Sequence, residues 1–224
     1  MPRFLQTNIA SVSTELINSV NTQIDIEQTV LTGPIKLFDN IPDRLFTDTL
    51  ALGYIDEDTQ SLYYKWAIQG LDLNGASVLD AGCGRGDFFK FVLTNVNVIY
   101  SGIDNNPLLI EVGRNKYNEA NLRQTDWMDI SSDELYDWTF NIFGISYIID
   151  NPLLYLKNTI IKLLSCSAQG LILILLKTDI NNPNTSYQTY KVNDVVNILE
   201  ELNIFNFGID CTLNGDSFKV AIFQ

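Results

Sequence analysis

A chain of 224 residues with 46% hydrophobic content can bury one sizeable core, and a single domain with an appendage is the economical reading. Its net charge of −13, with only 14 scattered Lys and Arg, counts against a broad phosphate-binding surface and disfavours a nucleic-acid partner. Cys83, Cys166 and Cys211 lie far apart with no C-x-x-C pair, so neither a zinc site nor a disulfide framework is expected, and a reducing cytosol is the default compartment.

Residues 1–75 read as a helical extension. Ile9, Val12, Leu16, Val20 and Ile24 recur at helical spacing, and Asp43–Leu52 and Thr59–Leu71 suggest further helices with Asp43 and Asp58 as caps. Gly33-Pro34 and Ile41-Pro42 mark breaks, and the acidic run Asp56-Glu57-Asp58 reads as a solvated turn. Tyr54, Tyr63, Tyr64 and Trp66 are its notable aromatics, and packing onto the core is the simplest role for Tyr63 and Trp66. The opening residues are polar, without a secretory pattern, and no apolar run reaches the length of a membrane span. A soluble, cytoplasmic protein with no membrane partner is expected.

Val78–Phe88 reads VLDAGCGRGDF: an apolar strand, an acid at Asp80, then Gly82, Gly84 and Gly86 before the chain turns apolar again. A strand that delivers its end to a ligand and turns at once into a helix needs backbone where side chains would collide, and glycines supply that clearance. Cys83 fits this turn as a small residue rather than a nucleophile. Asp80 ends a buried strand, where a carboxylate is costly unless it meets a donor. After a helical stretch around Phe88–Leu93, Val96–Ile103 reads as a second strand ending at Asp104. A carboxylate about 20 residues past such a loop is where a doubly wound fold grips ribose hydroxyls.

Gln124-Thr125-Asp126-Trp127 follows a polar helix, and Asp126 there is either a cap or a ligand contact. Trp138–Ile145 is a further buried strand candidate, and Asn151-Pro152 opens an apolar-striped helix over Leu153–Leu164. Gly170–Leu176 is a continuous apolar run of the kind found in buried parallel strands. A helix over Asp194–Leu202 precedes two short apolar segments, Phe205–Leu213 and Phe218–Phe223, joined through Asn214-Gly215-Asp216 as an antiparallel pair.

The glycine loop with its preceding strand and acid resembles the first motif of class I S-adenosylmethionine-dependent methyltransferases, and the resemblance runs through most of residues 76–224. Nicotinamide oxidoreductases space their glycines as G-x-G-x-x-G, which differs from Gly82-x-Gly84-x-Gly86 and disfavours that reading. The resemblance implies an α/β, Rossmann-like, seven-stranded and mostly parallel sheet with one antiparallel strand, helices on both faces, and an N-terminal helical extension acting as a lid. It further implies S-adenosylmethionine as cofactor, S-adenosylhomocysteine as product and no metal. The cofactor would be held by Asp80, Gly82, Cys83, Gly84, Gly86, Asp104 on the ribose, Asn105, Asp126 on the adenine amine with Trp127 flanking the ring, and Gly144 beside the methionine.

The methyl acceptor is expected to be a small molecule, with a protein as the second choice. The amine-methylating motif [DNS]-P-P-[YFW] does not follow the fourth strand, where the chain continues Gly144-Ile145-Ser146-Tyr147. The sequence contains no histidine, so any base must be another group, and Tyr147, Asp150 and Tyr187 lie on the segments expected near the strand ends. A loop at 181–184 follows the fifth strand, where it could close over a substrate with Tyr187 and Tyr190. A module that binds the cofactor without turnover is the alternative from another functional class.

Overall fold

The computed structural model describes residues 54, 56–131, 133–178, 187–213 and 215–224. The expected helices at 9–24 and 43–52 and the loop at 181–184 lie outside the described residues. Helix α1 (Glu57–Ile68) is followed by β1 (Ser77–Ala81), α2 (Asp87–Asn95), β2 (Ile99–Asp104), α3 (Pro107–Lys116), β3 (Asn121–Gln124) and β4 (Tyr136–Ile142). Then come α4 (Pro152–Ser165), β5 (Ser167–Leu176), α5 (Val192–Glu201), β6 (Phe207–Asp210) and β7 (Ser217–Phe223).

The strands form one seven-stranded sheet in the order β3-β2-β1-β4-β5-β7-β6. Only β7 runs against the others, pairing antiparallel with both β5 and β6. The order reverses between β1 and β4, and open α/β sheets form their ligand crevice at the carboxyl ends of the strands at such a switch point.

Strand alternation divides the core in two. Val78 faces a cluster with Tyr54, Tyr64, Phe88 and Ile110, which covers the sheet with α1, α2 and α3. Leu79 and Ala81 face the opposite cluster with Leu156, Ile160, Val195 and Leu199, supplied by α4 and α5. Asp80 therefore projects to the α1 side, two residues on from Val78. Glycines let the layers approach: a Cβ on Gly113 of α3 would stand 2.4 Å from the Arg85 carbonyl oxygen, and one on Gly170 2.2 Å from that of Ile222.

Several boundaries differ from expectation. Asp56, not Asp58, caps α1 by accepting from the Thr59 amide at 2.7 Å, and Glu57 and Asp58 fill the first turn, where acids suit the helix dipole. The acidic run is thus a helix start rather than a turn. Strand β2 begins at Ile99, because the Val96 amide still donates to Val92 O and closes α2. Strand β4 stops at Ile142, because Phe143 turns into the left-handed region at φ 59°. Asn151 caps α4 with Pro152 in the first turn, as expected. No helix among the described residues is long and apolar enough to cross a membrane.

Candidate functional site

A cleft opens at the reversal point above the ends of β1, β2 and β4, and Asp80, Gly82, Cys83, Gly84, Asp104 and Asn105 are among the residues that line it. Gly82, Gly84 and Gly86 adopt φ of 80°, 56° and 79°, a region that side chains with a Cβ enter at a cost. A Cβ on Gly82 would stand 3.0 Å from Gly144 Cα, so the two glycines bring the β1 loop and the β4 turn together. Gly144 is filled from beneath by Asn141, whose Nδ2 would lie 2.5 Å from a Cβ there. That amide donates to Ala81 O at 2.8 Å, while Asn141 Oδ1 is buried without a partner among the described residues.

Asp104 fastens the loop to β2. Its carboxylate accepts from the Gly84 amide at 2.9 Å and from the Asn106 amide at 2.8 Å. Burial raises its pKa, and the two amides work against that rise. Each oxygen accepts one of these bonds and keeps capacity for another donor, such as a ribose hydroxyl. Asp80 accepts from the Tyr100 hydroxyl at 2.7 Å, and burial pushes its pKa up to about 7 in spite of that bond. Val78 lies opposite Tyr100 in the parallel pair, so alternation delivers Tyr100 to the same face as Asp80.

Aromatic side chains form another part of the wall: Tyr54, Tyr64, Phe143 and Tyr147 line the same cleft. Tyr54 and Phe143 rings stand 6.1 Å apart, and Tyr63 meets Phe143 edge-on at 4.8 Å. Burial raises the pKa of Tyr54, Tyr64 and Tyr147, with Asp80 adding to the first and Asp104 to the last. The Cys83 thiol is raised by the same cause. These groups hold their protons at neutral pH and can donate hydrogen bonds, but are poor bases.

The remaining expected residues divide. Asn105 lines the cleft and is hydrogen-bonded to Asp126, which also caps a short turn at Trp127–Asp129 through the Met128 amide at 2.9 Å. Trp127 does not face the cleft. It is 1% exposed, donates to Thr159 Oγ1 at 3.4 Å, and supports Gly82 from below, where a Cβ would meet its ring at 3.4 Å. Gly86 likewise serves packing, since a Cβ there would press on Leu122 at 3.0 Å. Asp150 and Tyr187 are exposed and do not line the cleft, and Tyr190 is buried with its hydroxyl on Ile145 O at 3.1 Å.

Sequence reasoning missed Asp87, Arg85 and Tyr100. Asp87 accepts from Arg85 Nε at 2.6 Å, Tyr117 Oη at 2.6 Å, Lys116 Nζ at 2.9 Å and Gln60 Nε2 at 3.4 Å. Burial opposes the ionised carboxylate, but Lys116, Tyr117 and Arg85 outweigh it and lower its pKa. The period-two pattern of β2 was the one signal available for Tyr100; nothing local marks Asp87.

Among solved structures, the chain is similar to magnesium protoporphyrin IX methyltransferase from Synechocystis PCC 6803 with bound S-adenosylhomocysteine, at 16% identity and TM-score 0.58, over 81% of this chain and 91% of that one. It is also similar to an S-adenosylmethionine-dependent methyltransferase from Clostridium acetobutylicum ATCC 824 (13% identity, TM-score 0.59, 79% and 95% covered). A third is geranyl diphosphate C-methyltransferase from Streptomyces coelicolor A3(2) (11% identity, TM-score 0.59, 75% and 77% covered). No curated protein sequence matches the chain. These likenesses show a shared fold, and the sequence itself carries the assignment further. The profile of the ubiE/COQ5 methyltransferase family matches residues 63–202, more than half of the chain and the whole stretch from the aromatic helix through the glycine loop to α5, so this protein belongs to that family and is an S-adenosylmethionine-dependent methyltransferase.

Proposed function

We propose that the cleft transfers the methyl group to a small-molecule acceptor, with Asp80, Gly82, Cys83, Gly84, Asp104, Asn105 and Gly144 holding the cofactor and Asp126 acting through Asn105. One observation carries this reading: glycines, two buried carboxylates and aromatic rings line the same cleft. The closeness of Gly82 and Gly144 fits a ligand that lies against backbone, and the paired carboxylates fit one rich in hydroxyl and ammonium donors. When bound, S-adenosylmethionine supplies a methyl group already activated on a sulfonium.

The chain's own residues then have mainly to position the acceptor and exclude water. Holding two reactants in line at near-attack distance supplies much of the acceleration. Tyr54, Phe143 and Tyr64 enclose the acceptor side, and Tyr147 donates a hydrogen bond instead of withdrawing a proton. Tyr54 and, from α1, Tyr64 contribute to this aromatic lining ahead of the first strand. A small acceptor is further supported by the net charge of −13 and by the names of two neighbours, which refer to magnesium protoporphyrin IX and geranyl diphosphate.

Calorimetric titration with S-adenosylmethionine, S-adenosylhomocysteine and NAD, followed by radiolabelled methyl transfer to fractionated metabolites and proteins, tests the reading. Binding of the first two ligands only, with label entering the small-molecule fraction, is expected. Label confined to protein would replace the small acceptor with a polypeptide.

A further inference from the structure

The turn after β4 is strained at one residue. Phe143 holds φ at 59°, in the left-handed region that costs an L residue with a Cβ, while its neighbour Gly144 is the residue suited to such geometry. The Phe143 amide donates to Ile174 O at 3.0 Å, which ties the turn to β5. Its ring, packed edge-on against Tyr63 at 4.8 Å and beside Tyr54 at 6.1 Å, lines the cleft next to Gly82 and Gly144. The strain therefore has a visible product: an aromatic ring lining the cleft at the junction of the glycine loop and the β4 turn.

The charges around that junction all have one sign. Asp80 and Asp104 line the cleft, and no Lys or Arg among the described residues does so. Arg85 and Lys116 are turned to Asp87 behind the loop. A cation entering here meets carboxylates and ring quadrupoles with no competing positive charge.

We propose that Phe143 reads the positive charge of the sulfonium, so that the cleft distinguishes the charged methyl donor from its neutral thioether product. The strained turn is the device that aims the ring, and Tyr63 and Tyr54 keep it from rotating away. Loss of the sulfonium charge on transfer then weakens the hold on the spent cofactor and favours its release.

This inference rests on the cofactor reading above, and the test separates the two. Dissociation constants for S-adenosylmethionine and S-adenosylhomocysteine are measured by calorimetry on the full chain and on Phe143→Leu and Phe143→Trp, with thermal unfolding of each unliganded protein. In Phe143→Leu the preference for the sulfonium ligand should fall about 2- to 30-fold, through weaker S-adenosylmethionine binding at unchanged S-adenosylhomocysteine binding. Phe143→Trp, with a stronger ring face, should hold or raise that preference. Equal weakening of both ligands by Leu makes Phe143 a packing residue and overturns the proposal. If Phe143→Leu does not fold, the Trp variant decides, and a preference below that of the unaltered chain overturns it. Failure of the unaltered chain to bind either ligand defeats the cofactor reading instead.

Discussion

At the residue scale, two buried carboxylates carry the site and answer to different tests. Asp104 is both a fastener of the loop and the proposed ribose ligand, so Asp104→Ala should weaken S-adenosylmethionine binding by about 1 to 3 kcal/mol, the cost of leaving buried hydrogen-bonding groups unpaired. Calorimetry on the folded variant checks this, and unchanged affinity removes the ribose role. Asp80 differs because its pKa is pushed from 3.8 up to about 7 by burial. Between those values the unfolded chain has released this proton and the folded chain has not. The contribution of Asp80 to stability therefore falls as pH rises through that window, by on the order of 4 kcal/mol taken alone, and is flat above it. A cationic ligand favours the ionised carboxylate, so affinity for S-adenosylmethionine should rise as pH climbs through about 7. Tyr100→Phe removes the hydroxyl that donates to Asp80 at 2.7 Å and lowers its pKa, so the inflection of affinity against pH should move upward. An inflection that stays in place dissociates Asp80 from binding.

At the scale of elements, the glycine loop is held from behind. Asp87 in the first turn of α2 gathers Arg85 from the loop, Lys116 and Tyr117 from the end of α3, and Gln60 from α1. Arg85 is 1% exposed, so Asp87→Asn takes away the carboxylate that balances a buried guanidinium. The expected loss is about 3 kcal/mol, or roughly 6 to 12 °C in the unfolding midpoint for a chain of this size, read by circular dichroism. The glycines of this loop were legible because their spacing is local and their φ values demand them. Asp87 was not, because its role exists only once three helices converge. The end of β4 was overrun for a related reason: WTFNIFGI is uncharged and mostly apolar to its end, and the turn at Phe143 is imposed by its bond to β5 and by a ring from α1. Asp58 was the expected cap, and the Thr59 amide gives that role to Asp56 only in three dimensions. The reversed last pair, by contrast, was legible from two apolar runs and the turn between them, whereas the seven-stranded sheet was an expectation of the family resemblance, its third strand, Asn121–Gln124, being too polar to read as one.

At the scale of the whole molecule, the aromatic wall of the cleft is clamped by the far edge of the sheet. Trp66 Nε1 donates to Asp210 Oδ2 at 2.8 Å, and Tyr63 Oη to Asp216 Oδ1 at 3.2 Å. The buried Lys219 donates to Trp66 O at 2.9 Å and Gln69 O at 3.5 Å, satisfying carbonyls at the end of α1 and placing a cation where the helix dipole is negative. Burial lowers the Lys219 pKa while nearby Asp210 works to raise it, so the ammonium depends on these partners. The antiparallel pair β6–β7 thus does more than finish the sheet: it holds the helix that carries Tyr63 and Tyr64, whereas the glycine loop is secured chiefly by Asp104 and by Asp87, which meets α1 through Gln60. The helix and the loop should therefore respond unequally to damage. Lys219→Met keeps the apolar stem and removes the ammonium, and should destabilise α1 by about 1 to 3 kcal/mol. Amide hydrogen exchange across 57–68 should then accelerate roughly 5- to 150-fold, with a smaller acceleration at 82–88. Equal acceleration in both segments would mean that helix and loop open as one unit, and that the hairpin steadies the glycine loop as well as α1.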